Sequence, residues 1–361
     1  MTGTGKFAEK ATAKTAPLKS AYPEIVHPNA TPVLQVRIMT YNIRFANTSP
    51  VKGEEVWETR CPKLCSQIRF ATSGIPAVFV CLQEVLHRQL EDIMDELTSN
   101  GEGEHWSYIG RGREDGEEDG EYSPIIYRTN TWNCERSDTY WLSETPEDPS
   151  VGWDAALKRV VTMGQFKNHI TGIRVIVMNT HFDHKGKAAR LESARLILRI
   201  AKQWQKTMIV GDPKDDRLDE SGTLDDPYVP TLLAGDFNSE EDDDAYLAIT
   251  APEAMHDLKT LLPEDKRYGH TKNTYTSFGE PGEIAKRIDF LFVDNFSLNE
   301  HRRRATPDAT KGKVEVRTFA VLSNRFDDEV YLSDHRPVVS DVMITMQRRI
   351  LKGVTGEGLD A

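Results

Sequence analysis

The chain carries only four cysteines in 361 residues, Cys61, Cys65, Cys81 and Cys134, too few for a disulfide framework and without a second pair at zinc spacing. Cys61 and Cys65 stand one helical turn apart and Cys81 sits in an apolar run, so buried thiols are expected. Long apolar stretches are also missing. The longest, such as Ile173–Met178 and Pro76–Leu82, are strand-sized and far short of the roughly 20 residues that span a membrane, which excludes a transmembrane helix as a reading. Basic charge is in deficit: the net charge is −12, whereas proteins that grip long nucleic acid normally present a basic face. Local basic clusters at Lys185–Arg199 and Arg302–Arg304 keep a nucleic-acid partner open, and the acidic runs Glu114–Glu121 and Glu240–Asp244 read as solvated faces. No apolar h-region precedes a small-residue cleavage site, which points to an intracellular, cytoplasmic protein. Residues 1–30, rich in Ala, Lys and Thr, read as a disordered leader; they lack arginine and Glu9 interrupts their basic pattern, so a mitochondrial signal is a weak alternative that stays open.

What is present suits a globular enzyme-sized domain: 38% hydrophobic and 28% charged residues, with enough length to bury a large core. Residues 31–348 are read as one domain, with a polar insertion at about 206–230 and a tail at 349–361. Strand patterns fall at Val33–Asn42, Pro76–Gln83, Thr231–Gly235, Ile288–Val293 and Pro337–Met346, and helix patterns at Lys63–Ala71, Leu86–Leu97, Ala188–Lys206 and Asp244–Ile249. Tyr122–Tyr127 and Cys134–Leu142 are expected to pair as a hairpin through Arg128–Asn130, and Val160–Lys167 with Ile173–Thr180 as a second one. Hairpins as frequent as strand–helix alternations argue for mixed sheets covered by helices, not a doubly wound parallel sheet.

The polar residues that end these strands carry the chemistry. Glu84 follows the buried run Val78–Leu82, where a carboxylate at a strand mouth suits a hard cation such as Mg²⁺. Gly235-Asp236-Phe237-Asn238 releases two polar side chains one residue apart, the first able to orient or deprotonate water and the second to donate to a developing phosphorane oxygen. Asp334-His335 marks a sharp bend, and Asp289 from another strand could fix the His335 tautomer and hold it protonated for phosphate contact. His181, after Ile173–Asn179, is a second candidate phosphate ligand. Asn42, Glu84, His181, Asp236, Asn238, Asp289 and His335 all lie at or just past strand ends, so one pocket on one sheet edge is expected.

The ordered set Tyr41-Asn42, Gln83-Glu84, Asn179-Thr180-His181, Gly235-Asp236-Phe237-Asn238, Arg287-Ile288-Asp289-Phe290 and Ser333-Asp334-His335 resembles the endonuclease/exonuclease/phosphatase superfamily over about residues 33–346. The resemblance implies a DNase I-like α/β fold, a four-layer α/β sandwich of two mixed β-sheets flanked by helices, with Mg²⁺ or Mn²⁺ at the shared edge. It implies Asn42, Glu84 and Asp334 at the metal, Asp236 and Asn238 on the water, His335 paired with Asp289 and His181 on the phosphate. Tyr122, in Glu121-Tyr122-Ser123-Pro124, looks like a tyrosine that some members place against the phosphate. Trp57-Glu58-Thr59-Arg60, Gly110-Arg111, Trp141-Leu142-Ser143-Glu144-Thr145-Pro146, Trp153-Asp154-Ala155 and Asp183-His184 are similar to a little-characterised branch of predicted metal-dependent hydrolases. On that likeness Arg60, Arg111, Trp153 and Asp183 would line the substrate pocket, unless they pack helices and hairpins instead.

Three functions compete at this stage. The first is a phosphoesterase on a small sugar- or nucleotide-like phosphate, mono- or diester, acting as a monomer; the acidic balance favours it. The second is a nuclease or deadenylase, which requires a basic groove beside the pocket. The third is a catalytically dead scaffold, disfavoured because every metal- and water-handling position holds a competent residue.

Overall fold

A computed structural model describes residues 32–99, 105–209, 229–298 and 313–345. The leader, the tail, most of the insertion and Arg302–Arg304 lie outside the described residues. The strands are β1 Val33–Asn42, β2 Val78–Gln83, β3 Trp106–Ile109, β4 Ile125–Arg128, β5 Trp132–Trp141, β6 Val160–Asn168 and β7 Arg174–His181. They continue as β8 Thr231–Asp236, β9 Met255–Asp257, β10 Arg267–Gly269, β11 Asp289–Asp294, β12 Lys313–Val321 and β13 Val338–Thr345. The principal helices are α1 Trp57–Thr72, α2 His87–Thr98, α3 Lys187–Ile209 and α4 Asp244–Ile249. One sheet runs β10-β12-β13-β1-β2-β4-β3 and the other β5-β6-β7-β8-β11-β9. Both are mixed, with β1 parallel to β2 and antiparallel to β13, and β7 parallel to β8 and antiparallel to β6.

Side-chain alternation explains the layering. Strand residues of one parity meet between the sheets: Val36 and Ile38, Phe79 and Cys81, Val175 and Val177, Leu232 and Ala234, Leu291 and Val293. The other parity of the first sheet, Met39, Tyr41, Val78, Val80 and Leu82, packs on Leu64 and Ile68 of α1 and Leu90 and Ile93 of α2. The other parity of the second sheet, Ile176, Met178, Leu233, Phe290 and Phe292, packs on Ile197, Ile200 and Trp204 of α3 and on Ala245 and Ile249 of α4. The result is the expected four-layer sandwich. A strand buried on both faces reads as a continuous apolar run, which is why these segments lack polar alternation.

Several expectations need correction. Tyr122–Tyr127 and Cys134–Leu142 do not form a hairpin: β4 pairs with β2 and β3, whereas β5 pairs with β6 in the other sheet, so Thr129–Thr131 carries the chain between layers. A short link between two strand patterns cannot distinguish a turn from a crossing. α1 starts at Trp57 and not after Pro62, whose ring stands inside the helix. Pro62 and Glu58 are both exposed, so the carbonyl that proline leaves unbonded faces water. Strands β3, β9, β10 and β12 were not anticipated. All four cysteines are free, with Cys61, Cys65 and Cys81 buried and Cys134 partly so. No described helix is long and apolar enough to cross a membrane.

Strand order then decides where the polar residues meet. β1, β2, β7 and β8 end at one edge of the sandwich, and β6, β11 and β13, antiparallel to their neighbours, begin there. Gly235 permits a close approach within it: a Cβ there would lie 2.3 Å from the Thr180 carbonyl oxygen in β7. Gly235→Ala should therefore destabilise the fold by about 1–3 kcal/mol, the scale of overpacking. Urea denaturation would check it through a lowered midpoint at unchanged slope.

Candidate active site

At the shared edge the Asn42 amide donates to Glu84 Oε1 and to Asp236 Oδ2, each at 3.0 Å, and so joins one carboxylate from each sheet. Glu84 leaves β2 in the left-handed conformation (φ 59°), which aims its carboxylate back over the sheet edge, where the Phe45 N–H also donates to it (3.2 Å). The Ser333 hydroxyl donates to the Asn42 carbonyl at 2.7 Å and accepts from the His335 N–H at 3.2 Å, which moors the Asp334-His335 bend to the end of β1. Beneath these groups Gln83 donates to Asn179 Oδ1 (2.7 Å), and Asn179 donates to the Leu82 and Pro124 carbonyls, a second polar tie between the sheets.

Two imidazoles flank Asp236 in opposite charge states. His335 Nδ1 bonds Asp289 Oδ2 at 2.9 Å, and its Nε2 lies 3.7 Å from Asp236 Oδ2. Burial works against the imidazolium, but the Asp289 and Asp236 charges overcome it and push the ring up to about 10, so His335 is protonated at neutral pH. His181 is the reverse. Burial, followed by the Arg159 and Arg113 charges, holds it well below the usual histidine range. Arg159 donates to His181 Nδ1 at 3.0 Å, and His181 Nε2 lies 3.6 Å from Asp236 Oδ2. The Asn238 amide, turned by a left-handed backbone (φ 46°), lies 3.0 Å from that nitrogen and donates to the Phe182 carbonyl.

The donor set suits a divalent cation. Glu84, Asp236 and Asp334 present oxygen to one cavity, as hard cations require. Burial, then the Asp289 charge, pushes Asp236 up to about 7 against the pull of His335. Burial likewise raises Asp334 despite the His335 charge, with the Glu84 charge adding to the rise. Glu84 stays low, since the Asn42 bond and the Arg44 and His335 charges outweigh its burial. Buried carboxylates that raise one another's proton affinity are groups a bound cation would relieve. Asp236, Asp289 and His335 also offer atoms within 4.8 Å of one another, but a protonated ring bonded to Asp289 has no lone pair for a metal. That trio therefore reads as a proton-holding array, with any cation on the Glu84 side.

The sequence profile of the Endonuclease/Exonuclease/phosphatase family matches residues 39–335, a span that contains every group above. The chain belongs to that family. Its members are hydrolases that act on phosphoesters and generally depend on a divalent metal. Similar solved structures include an endonuclease/exonuclease/phosphatase from Bacteroides vulgatus, 31% identical over 85% of this chain and 98% of that one, TM-score 0.66. A family protein from Bacteroides thetaiotaomicron is 28% identical over 86% and 98%, TM-score 0.67. The Bacteroides thetaiotaomicron mannosyl-6-phosphatase Bt3783 is 29% identical over 85% and 99%, TM-score 0.64. Comparison with curated proteins gives no match.

Asn42, Glu84, His181, Asp236, Asn238, Asp289, Asp334 and His335 converge at this edge, whereas Tyr122, Arg111, Trp153, Asp183 and Arg60 are not among the residues that line the cavity. The Tyr122 hydroxyl donates to the Glu117 carbonyl and meets His87 Nδ1, each at 2.9 Å, outside the cavity lining; its neighbour Glu121 turns in instead. Arg111 is exposed outside that lining, as is the partly buried Trp153, which packs on the α3 side. Asp183 is buried and accepts the Lys185 and Gly186 N–H groups, so it shapes a loop. The cavity of about 710 Å³ is also lined by residues to which the motifs assigned no site role, among them Arg44, Arg159, Lys187, Arg190 and Tyr275. Arg159 precedes β6, and the start of a strand antiparallel to β7 falls at the same edge as the end of β7; that was the available signal.

Arg60 has a different task from the one expected. Fully buried, it donates to five carbonyls: Glu55 (3.0 Å), Ile43 (2.7 Å), Leu332 (2.9 Å), Arg44 (3.1 Å) and Phe45 (3.4 Å). It thereby clamps the segment after Asn42 to the segment before Ser333. Arg60→Met should cost about 3 kcal/mol or more, because several buried carbonyls lose a charged donor together. Equilibrium urea denaturation would measure the loss.

Proposed function

We propose that the protein is a divalent-metal-dependent phosphoesterase that hydrolyses a small sugar- or nucleotide-like phosphate by in-line attack of water. The reading rests on one observation above others: a protonated and a neutral histidine flank the buried Asp236 carboxyl, in a cavity that Glu84 and Asp334 also line. Glu84, Asn42 and Asp334 would hold Mg²⁺ or Mn²⁺, which supplies charge neutralisation at phosphorus and acidifies water. Asp236 would take the proton of the attacking water as the water oxygen bonds phosphorus and the bond to the alcohol oxygen breaks, the departing alkoxide taking a proton from solvent. Protonated His335, held by Asp289, donates to a phosphoryl oxygen. Neutral His181, held between Arg159 on Nδ1 and the Asn238 amide on Nε2, meets another, and Asn238 adds an amide donor.

A small substrate is supported by the cavity volume, which falls in the range of small-molecule sites. It is also supported by Glu240, Asp243 and Glu283 in the lining, carboxylates that would repel a long polyanion. The mannosyl-6-phosphatase named above makes a sugar phosphate a natural first candidate. A nuclease or deadenylase is the alternative, and it would need the basic groove that those carboxylates interrupt. The experiment is phosphate or alcohol release from sugar phosphates, nucleotides, inositol phosphates and short oligonucleotides with Mg²⁺, Mn²⁺ or EDTA. Asp236→Asn should lower turnover by about 10²- to 10⁴-fold, the scale of a positioned proton-transfer group. Glu84→Gln should raise the metal concentration needed for half-maximal rate. Wild-type rates in the Asp236→Asn protein, or turnover unaffected by EDTA, would overturn the assignment.

A further inference from the structure

The cavity is electrically divided, and side-chain contacts give the order of its residues. From Arg159 the contacts pass to His181 (3.0 Å), from His181 to Asp236 (3.6 Å) and from Asp236 to His335 (3.7 Å). Beyond His335 come the Tyr275 ring, 5.1 Å between centroids, and Glu283, which accepts from the Tyr275 hydroxyl. The Tyr275 side is acidic, with Glu240 and Glu283 against Lys286. The Arg159 side is basic, and its positive charge exceeds what the protein itself pairs.

Arg190 lines the cavity with only 7% exposure, yet its hydrogen bond runs to a neutral partner, the Asp183 carbonyl (3.1 Å), and no described carboxylate lies within 4.0 Å of it. Lys187, one turn earlier on α3, lines the same wall and likewise has no described carboxylate within 4.0 Å. Arg159 is buried and its Nε has no hydrogen-bond acceptor. Its counter-charges are shared: Glu121, at 4.0 Å, also meets the Arg113 guanidinium at 2.7 Å, and Asp183 lies at 3.6 Å, so the unpaired charge on this wall is that of Arg190 and Lys187. The first turn of α3 is not the attraction, because Asp154 accepts from the Ala188 and Ala189 N–H groups. A guanidinium buried without a counter-charge is costly unless a ligand provides one.

We propose that Arg159, Lys187 and Arg190 bind a second anionic group of the substrate, a phosphate or a carboxylate, beside the phosphate that is cleaved. This rests on the phosphoesterase reading and narrows it to esters of anionic small molecules, such as sugar bisphosphates and phosphorylated sugar acids. The acidic opposite side disfavours a polynucleotide as the source of the second phosphate.

The test compares kcat/KM of the metal-loaded enzyme on a hexose 6-phosphate, a hexose 1,6-bisphosphate, a 6-phosphorylated sugar acid and a short oligonucleotide. The two-anion esters should be preferred over the hexose 6-phosphate by about tenfold or more, the scale of one charged hydrogen bond. Lys187→Ala should collapse that ratio through KM, and Arg190→Gln should do the same if it folds. The bisphosphate and the sugar acid separate phosphate from carboxylate as the second group. An unchanged ratio in Lys187→Ala, no preference in the wild type, or the oligonucleotide as best substrate would each overturn the proposal. If no ester is hydrolysed, the phosphoesterase reading fails by itself, and calorimetric titration of hexose 1,6-bisphosphate without metal decides the site: weaker binding by Lys187→Ala supports it, and equal binding overturns it.

Discussion

One amide holds the two halves of the site together. The Asn42 side chain bonds Glu84 from its own sheet and Asp236 from the other, and its Oδ1 and carbonyl accept from the Arg44 N–H and the Ser333 hydroxyl. Every polar atom of the group is thereby used, at the place where two apolar sheets leave a polar seam. A buried polar network of this kind is favourable only when complete, since each missing partner leaves a desolvated group behind. Gln83 with Asn179, one layer deeper, and Arg60, behind the loops, serve the same constraint. The sandwich is thus set in relative position by polar contacts at its active edge, while apolar burial holds its body.

The same seam separates the charge states of the histidines. His335 and His181 both border Asp236, but one is backed by a carboxylate and the other by a guanidinium. Burial depresses both rings, and the nearest charge then decides: Asp289 keeps one cationic and Arg159 keeps the other neutral. One cationic and one neutral imidazole around a buried carboxyl is an arrangement that sets acid and base roles apart within one site. The basic residues behind His181 therefore act twice, on its protonation and on the charge the cavity can accept.

Much of this was legible before any coordinates. Asn42, Glu84, His181, Asp236, Asn238, Asp289, Asp334 and His335 stand at or just past strand ends in a recurring order, and a strand end is a position that periodicity can locate. The four-layer fold was what the family resemblance implied, whereas the strand and helix pattern by itself reached mixed sheets covered by helices. The hairpin assigned to β4 and β5 failed because local spacing does not say which sheet a strand joins. Tyr122 failed by a single residue, since the chain beside Val85 turns Glu121 inward and Tyr122 outward. Arg60, Arg111, Trp153 and Asp183 are not among the residues that line the cavity, a choice the sequence left open because residues on loops and helices owe their direction to whatever packs on them.

The sequence alone thus determined the class of chemistry, the edge on which it occurs and the alternating burial that builds the sandwich, because each depends on residue type and short-range period. Only the tertiary structure decided which charges face the cavity and which histidine is charged. Those properties come from pairings such as Asp289 with His335 and Arg159 with His181, between residues 46 and 22 positions apart in the chain. Electrostatic energy depends on distance through space and on burial, and the order of residues along the chain contains neither.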